Sequence, residues 1–254
     1  MLSNANPLFA AVCLAVLMAL AWTIGWRSGV AARRRGVPPP DTKLDDAALA
    51  LLGLLLAFTF SMALNKYESR RQAMVTDSNA IGDFYTCATL IPEPGRTRLQ
   101  DVVREYTRLR VELGRHPSPA RDDVDRALAR FDQMQGRMTV LVGEAIATGT
   151  PIAMPLTNTL NGVTSSQASR LAALRDRVPG SVIFLLGVTA ALAAGLVGRE
   201  QGISPRPSLA GTFAFIVIVA LTVYVTLDLN HPTRGFIRIS QEPMERLLSS
   251  MGTP

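Results

Sequence analysis

Few residues of this sequence have the type and spacing that metal or redox chemistry requires. The chain has two histidines, His116 and His231, each directly followed by proline, and neither has a Cys, Asp or Glu at metal-ligand spacing. Its two cysteines, Cys13 and Cys87, fall in a predicted membrane span and a predicted helix, which argues against a disulfide framework. We therefore expect no metal and no cofactor.

Motifs for catalysis are also lacking in the sequence. No glycine-rich phosphate loop follows a strand, no Gly-x-Ser-x-Gly occurs, and the acidic residues are interspersed with arginines as on a solvated helix face. The basic pI near 10.0 does not predict nucleic-acid binding, because the basic residues are spread along the chain and only Arg33, Arg34 and Arg35 cluster. These three are better placed to meet lipid phosphates. We expect no catalytic residues, no enzymatic activity and no nucleic-acid partner.

The long uncharged segments predict a protein that crosses the bilayer. Each is about as long as the hydrocarbon core requires of a helix. The four predicted spans are Leu8–Trp26, Ala47–Leu64, Gly180–Gly198 and Leu209–Leu227. A cleaved signal peptide is the alternative for the first span, although no Lys or Arg precedes it, and a buried helix of a soluble core is the alternative for the second.

Small residues in the third span suggest a helix-packing surface. Gly187, Ala191 and Gly195 are spaced four apart, and a second row, Ala190, Ala194 and Gly198, runs beside them. Because lipid provides no hydrophobic driving force between helices, close approach over small residues is a main source of contact. We expect this surface to face another helix, although Ala and Gly are also simply frequent in membrane helices.

Residues 65–178 predict a helical segment outside the membrane. They contain 16 Lys plus Arg and 13 Asp plus Glu, a net formal charge of 16 − 13 = +3. Tyr67, Met74, Ile81 and Ala88 are spaced seven apart, so the second span is expected to continue as a helix until Pro92 and Pro94. Further helices are predicted over Pro94–Leu113, from Pro119 to about Gly149, and after Pro155.

The predicted fold class is therefore all-α, with four transmembrane helices and a helical extramembrane insert between the second and third. We expect four segments: a first transmembrane hairpin over 1–64, the insert over 65–178, a second hairpin over 179–229 and a C-terminal tail over 230–254.

The second span and its continuation resemble the signature of bestrophins. In the segment LGLLLAFTFSMALNKYESRRQAMVTDSN (52–79), Phe58 corresponds to the family's neck phenylalanine, Arg71 to its Arg and Asn79 to its Asn. Tyr67 and Glu68 stand where bestrophins have a pair of tryptophans. Most of the chain is similar to bacterial bestrophin-like membrane proteins, through this segment, Ile-Pro-Glu-Pro at 91–94, Leu-Asp-Leu-Asn-His-Pro at 227–232, Gly235 and Ile-Ser-Gln-Glu-Pro at 239–243.

This resemblance implies a homopentameric ion channel whose second helices line a narrow hydrophobic neck. Ala50, Leu54 and Phe58 share one helix face and are the predicted pore-lining residues. The alternative is that they pack against another helix or lipid. Small inorganic ions would be the permeating partners, and the lipid bilayer the surroundings.

Beyond the membrane, Lys66, Arg70, Arg71 and Asn79 are the predicted pore-entrance residues. Repeated around a symmetry axis, the three cations would create a positive potential at the entrance. The alternative is that the basic residues anchor the helix at the lipid headgroups.

The side of the membrane on which the insert lies is ambiguous from charge. The loop over 27–46 has five Lys plus Arg, yet basic residues also flank the insert, and both cannot be cytoplasmic with four spans. Following the resemblance, we expect a multi-pass protein of the inner (plasma) membrane with a cytoplasmic insert and termini. A second hypothesis is a non-conducting sensor or scaffold whose insert binds a ligand or partner.

Overall fold

The computed structural model describes residues 6–36, 43–115, 121–204, 207–231 and 235–252, and confirms the all-α class. No strand occurs within these ranges. The eight helices are α1 (Pro7–Arg34), α2 (Lys43–Ala88), α3 (Gly95–Arg115), α4 (Arg121–Ala147), α5 (Ala153–Arg175), α6 (Gly180–Ile203), α7 (Leu209–Asn230) and α8 (Glu242–Ser250). Four stretches, in α1, α2, α6 and α7, are long and apolar enough to cross a membrane, as predicted.

The helix boundaries differ modestly from those predicted. α3 includes Gly114, which we expected to end it, and continues to Arg115. The predicted start of the next helix at Pro119 lies outside the described residues, as does His116. α5 does not run on into α6, because Asp176 is extended and Pro179 precedes α6.

The chain forms two compact units. The membrane unit comprises Met1–Tyr67 and Arg177–Ile237, and the helical unit comprises Glu68–Asp176 and Arg238–Pro254. α2 contributes its first part to the membrane unit and the remainder to the helical unit. The residues after 237 therefore pack with the insert.

The core of the membrane unit joins all four spans. Leu14 and Met18 of α1, Leu52 of α2, Leu186 of α6 and Val223 of α7 are buried together. A smaller cluster forms around Ala63, Val178 and Leu229. Many of the exposed residues on the outer faces of these spans are bulky and apolar, as expected for helices surrounded by lipid.

The closest helix packing in the membrane unit is between α1 and α6. A Cβ atom added at Gly198 would overlap the carbonyl oxygen of Trp22, and one at Gly202 would overlap that of Trp26. Gly25 and Gly29 of α1 meet the backbone of α6 in the same way. Of the two rows predicted in the third span, Ala190, Ala194 and Gly198 form the buried one, whereas Gly187 has no atom within 4 Å of its added Cβ.

The helical unit has a larger apolar core drawn from five helices. Met74, Ile81 and Ala88 of α2 are buried in it, as the seven-residue spacing predicted. Tyr67, the first residue of that series, is half-buried in the membrane unit. The other helices contribute the rest of this core: Leu99, Val103 and Tyr106 from α3, Phe131 and Met138 from α4, Leu156 and Val163 from α5, and Met244 from α8.

We expect Gly198→Ala to destabilise the protein, because the added methyl group would push α1 away from α6. Overpacking of this kind costs about 1–3 kcal/mol, which exceeds the roughly 1 kcal/mol that alanine gains over glycine in a helix. Gly187→Ala is the matched control on the same helix and should be neutral or stabilising. Thermal unfolding in detergent, followed by circular dichroism, measures both, and equal melting temperatures for the two variants would contradict the close α1–α6 packing.

Candidate functional site

One face of α2 is buried along its whole length, and the predicted pore-lining residues lie on the opposite face. Nine buried residues recur at intervals of three, four or seven, which keeps them on one side of a helix. They are Leu52, Thr59, Ala63, Arg70, Met74, Asp77, Ile81, Phe84 and Ala88. Asp45, Ser78 and Cys87 are also buried. Ala50 is exposed, Leu54 is 52% exposed and Phe58 is 59% exposed.

The exposed face of α2 differs in composition from those of the other spans. Near its centre are the small residues Ala50, Gly53, Ala57 and Ser61. In contrast, the exposed residues of α1, α6 and α7 are mostly Leu, Ile, Val and Phe. Bulky apolar side chains suit lipid, whereas small residues permit close approach to another helix.

The four predicted entrance residues do not share one face. Asn79 is exposed on the same side as Leu54, and Arg71 is exposed and pairs with Glu68 at 2.9 Å. Lys66 is half-buried. Arg70 is only 2% exposed, so its side chain is not available to an aqueous entrance in this structure.

Arg70 is buried against the C-terminal end of α5. Its Nε donates to the carbonyl oxygen of Ala173 at 3.2 Å, and its Nη2 donates to that of Asp176 at 2.8 Å. The last carbonyls of a helix have no partner within the helix and carry a partial negative charge. Arg70 therefore supplies hydrogen-bond donors to carbonyl groups at the end of α5 and links α5 to α2.

A buried ion network that the sequence did not predict lies about two turns further along α2. The carboxylate of Asp77 is fully buried and accepts from Arg110 at 3.3 Å and from Arg170 at 3.0 Å. The hydroxyl of Ser166 also donates to Asp77, at 3.0 Å. One carboxylate thus joins α2 to α3 and α5.

Tyr106 extends this network to α4. The Nη2 atom of Arg110 donates to its hydroxyl at 2.8 Å, and that hydroxyl donates to Gln167 at 2.7 Å. Gln135 of α4 donates to the same Gln167 oxygen. The guanidinium of Arg110 also lies 5.1 Å from the ring centroid of Tyr106.

The network has an excess of positive charge, because two guanidinium groups face one carboxylate. The ring of Phe131, whose centroid is 4.7 Å from the Arg110 guanidinium, supplies a cation–π contact that offsets part of this excess. Burial, followed by the neighbouring Arg110 cation, lowers the pKa of Arg170. Burial raises the pKa of Tyr106, so its phenol stays protonated and remains a hydrogen-bond donor.

A sequence signal for this network exists. Asp77 is three residues after Met74 and four before Ile81, so it lies on the apolar row of α2. Arg110 is four residues after Tyr106 and likewise lies on the apolar side of α3. Charged residues are almost never buried unless they are paired. An acidic and a basic residue that both lie on core-facing rows are therefore expected to pair with each other.

The tail motif Leu-Asp-Leu-Asn-His has a structural role at the end of α7. Asp228 is buried and accepts from the backbone N–H groups of Phe236 and Ile237 at 2.9 and 2.8 Å. Asn230 accepts from the N–H of Val178 at 2.8 Å, and His231 Nδ1 is 2.7 Å from the carbonyl oxygen of Leu227. These contacts satisfy backbone groups where the chain leaves the membrane unit.

Among the described residues, no group of three His, Cys, Asp or Glu side chains is arranged to hold a metal ion. Cys13 and Cys87 are free thiols.

Fold and site together define the class of protein: an all-α, four-span membrane protein with a helical unit between its second and third spans. The profile of the Bestrophin-like domain matches residues 47–244, so the chain belongs to the bestrophin-like family. The resemblance seen in the sequence is thereby confirmed. Curated proteins give no match.

Two solved structures, each a crystal structure of a membrane protein, are similar to this chain. The first is 14% identical, with a TM-score of 0.64 over 98% of this chain and 100% of the other. The second is 15% identical, with a TM-score of 0.65 over 95% of this chain and 98% of the other. At such identities the likeness shows a shared fold.

Asp77→Asn should destabilise the helical unit strongly, because it leaves two buried guanidinium groups without a counter-charge. Removing one partner of a buried ion pair typically costs about 3–5 kcal/mol. Asp83→Asn, also on α2 but exposed, is the matched control and should change stability by less than about 0.5 kcal/mol. Denaturant unfolding in detergent, followed by circular dichroism, compares them; an Asp77→Asn variant as stable as the control would show that the network does not form.

Proposed function

We propose that this protein forms an oligomeric ion channel in which the exposed face of α2 lines the pore. The observation that carries the proposal is the composition of that face: small residues surround Leu54 and Phe58 within a membrane span whose opposite face contains the buried residues Leu52, Thr59 and Ala63. Such a surface suits contact with copies of itself better than contact with lipid. Membership in the bestrophin-like family supports the same function.

A ring of copies would place Ala50, Leu54 and Phe58 at successive levels of one constriction. The residues are four apart, so they are separated by about 6 Å along the axis. Apolar side chains at a narrow point exclude water and ions until the ring widens, which is gating by dewetting. We propose Phe58 and Leu54 as the narrowest levels and a pentamer as the assembly.

The proposed entrance is polar and only weakly positive. Asn65, Gln72, Thr76 and Asn79 are exposed on the side of α2 that bears Leu54. Arg71 is offset by Glu68, and Arg70 is buried against α5, so the positive potential at the entrance is weaker than the sequence suggests. The proposal therefore does not specify the sign of the permeant ion.

We further propose the inner (plasma) membrane as the location, with the insert and both termini in the cytoplasm. Four spans place both termini on the side of the insert, and Lys66, Arg70, Arg71, Arg170, Arg175 and Arg177 flank that insert.

We expect purified protein in liposomes to conduct small ions and Phe58→Ala to raise the flux. If the smaller side chain lowers the barrier by about 1.4 kcal/mol, the flux rises about tenfold. Leu54→Ala should act in the same direction. Phe213→Ala, at a phenylalanine of α7 that is also exposed, is the matched control and should leave the flux unchanged. No flux from the wild-type protein under varied ions and calcium would favour the sensor or scaffold hypothesis instead.

The assembly should be a closed ring rather than a dimer, because a pore along a symmetry axis requires several copies of α2 around that axis. Native mass spectrometry in detergent measures the stoichiometry directly. Replacing Ala57, a small residue of the exposed face, with leucine should shift the protein to smaller species, whereas Leu192→Ala on the exposed face of α6 should not. A wild-type monomer or dimer would contradict the proposed pore.

A further inference from the structure

An open cleft runs along the C-terminal half of α1, at the end of the membrane unit away from Val178. Its volume is about 560 Å³, and Trp22, Trp26, Arg27, Val30 and Arg34 are among the residues that line it. One wall is thus aromatic and aliphatic, and the other is cationic.

The cleft lies where α1 leaves the hydrocarbon. The uncharged run of α1 ends at Trp26, but the helix continues for two more turns to Arg34. Tryptophan rings at the end of a span favour the level of the lipid headgroups, and arginines just beyond it reach the phosphates. The contacts of Trp22 with Gly198 and of Trp26 with Gly202 hold this part of α1 firmly against α6.

The two indole groups have different partners. Their rings pack edge to face, with centroids 4.6 Å apart. The N–H of Trp22 donates to Gln201 at 3.4 Å, and Gln201 is itself held by Thr212 at 2.8 Å. The N–H of Trp26 has no acceptor in the part of the chain that the structure describes, and Trp26 is half-buried.

The cationic wall also lacks a counter-charge among the residues that the structure describes. Arg27 and Arg34 are exposed, and neither forms an ion pair with another described residue. Residues 27–35 contain four arginines and no acidic residue. Of the arginines in the last turn of α1, Arg33 instead donates to the carbonyl oxygen of Ser204, at 3.5 Å.

We propose that this cleft binds an anionic glycerophospholipid. Its phosphate accepts from Arg27 and Arg34, the N–H of Trp26 donates to a headgroup or ester oxygen, and an acyl chain lies against the Trp22 ring and Val30. An anionic lipid is favoured over a zwitterionic one because no acidic side chain in this stretch of α1 could receive an ammonium group. A free phosphate would leave the apolar wall uncovered. The site does not depend on the channel proposal.

The two lining tryptophans are the only ones in the sequence, so intrinsic fluorescence reports on the cleft alone. The protein is reconstituted with brominated phosphatidylglycerol diluted into phosphatidylcholine, and separately with brominated phosphatidylcholine diluted into phosphatidylglycerol. Quenching as a function of mole fraction gives the relative binding constant of the two lipids. We expect a preference for phosphatidylglycerol of roughly fivefold for each arginine that contacts the phosphate.

The variants separate the cleft from general surface charge. Arg27→Gln with Arg34→Gln should abolish the preference, and Arg27→Lys with Arg34→Lys should retain most of it, which shows that the loss is one of charge and not of folding. Arg199→Gln, on α6 at the same end of the membrane unit, exposed and outside the cleft lining, is the matched control and should leave the preference unchanged. Equal quenching by the two lipids in the wild-type protein, or an equal loss in Arg199→Gln, would overturn the proposal.

Discussion

The structure depends on the continuity of α2, a single helix of 46 residues that belongs to both units. In each unit α2 buries one row of residues and exposes others. The buried row includes Leu52 and Ala63 in the membrane unit and Met74 and Ile81 in the helical unit. Leu54 and Phe58 are exposed in the membrane unit.

The two parts of α2 are held by different forces. In the helical unit, water drives apolar residues together, and the resulting core can be large and varied. In the membrane unit this driving force is absent between helices, so contact requires close backbones and good van der Waals packing. The glycine contacts between α1 and α6 provide that packing, because Gly25 and Gly29 of α1 and Gly198 and Gly202 of α6 each bring the two backbones into contact.

Features set by local sequence could be predicted from it, whereas features set by tertiary pairing could not. The length of α2 and the burial of Met74, Ile81 and Ala88 follow from the spacing of apolar residues, and the family follows from a contiguous segment. Which part of the small-residue surface on α6 would meet α1 depends on the partner helix. Ala190, Ala194 and Gly198 are buried, and of the other row Gly195 meets α1 whereas an added Cβ at Gly187 would have no atom within 4 Å. The burial of Arg70 was also missed, because an arginine just beyond a span is usually solvated and only the end of α5 provides its acceptors.

Because Asp77 is buried, the ion network restrains the orientation of α2 more strictly than apolar contacts alone would. Apolar side chains tolerate small rotations of a helix, since their contacts are not directional, but a carboxylate held by Arg110, Arg170 and Ser166 loses hydrogen bonds as soon as α2 turns. Buried ionic groups add little net stability, yet they can select one arrangement over others that bury the same area. In the helical unit the network therefore favours the arrangement of α2, α3 and α5 in which Asp77 faces Arg110, Arg170 and Ser166.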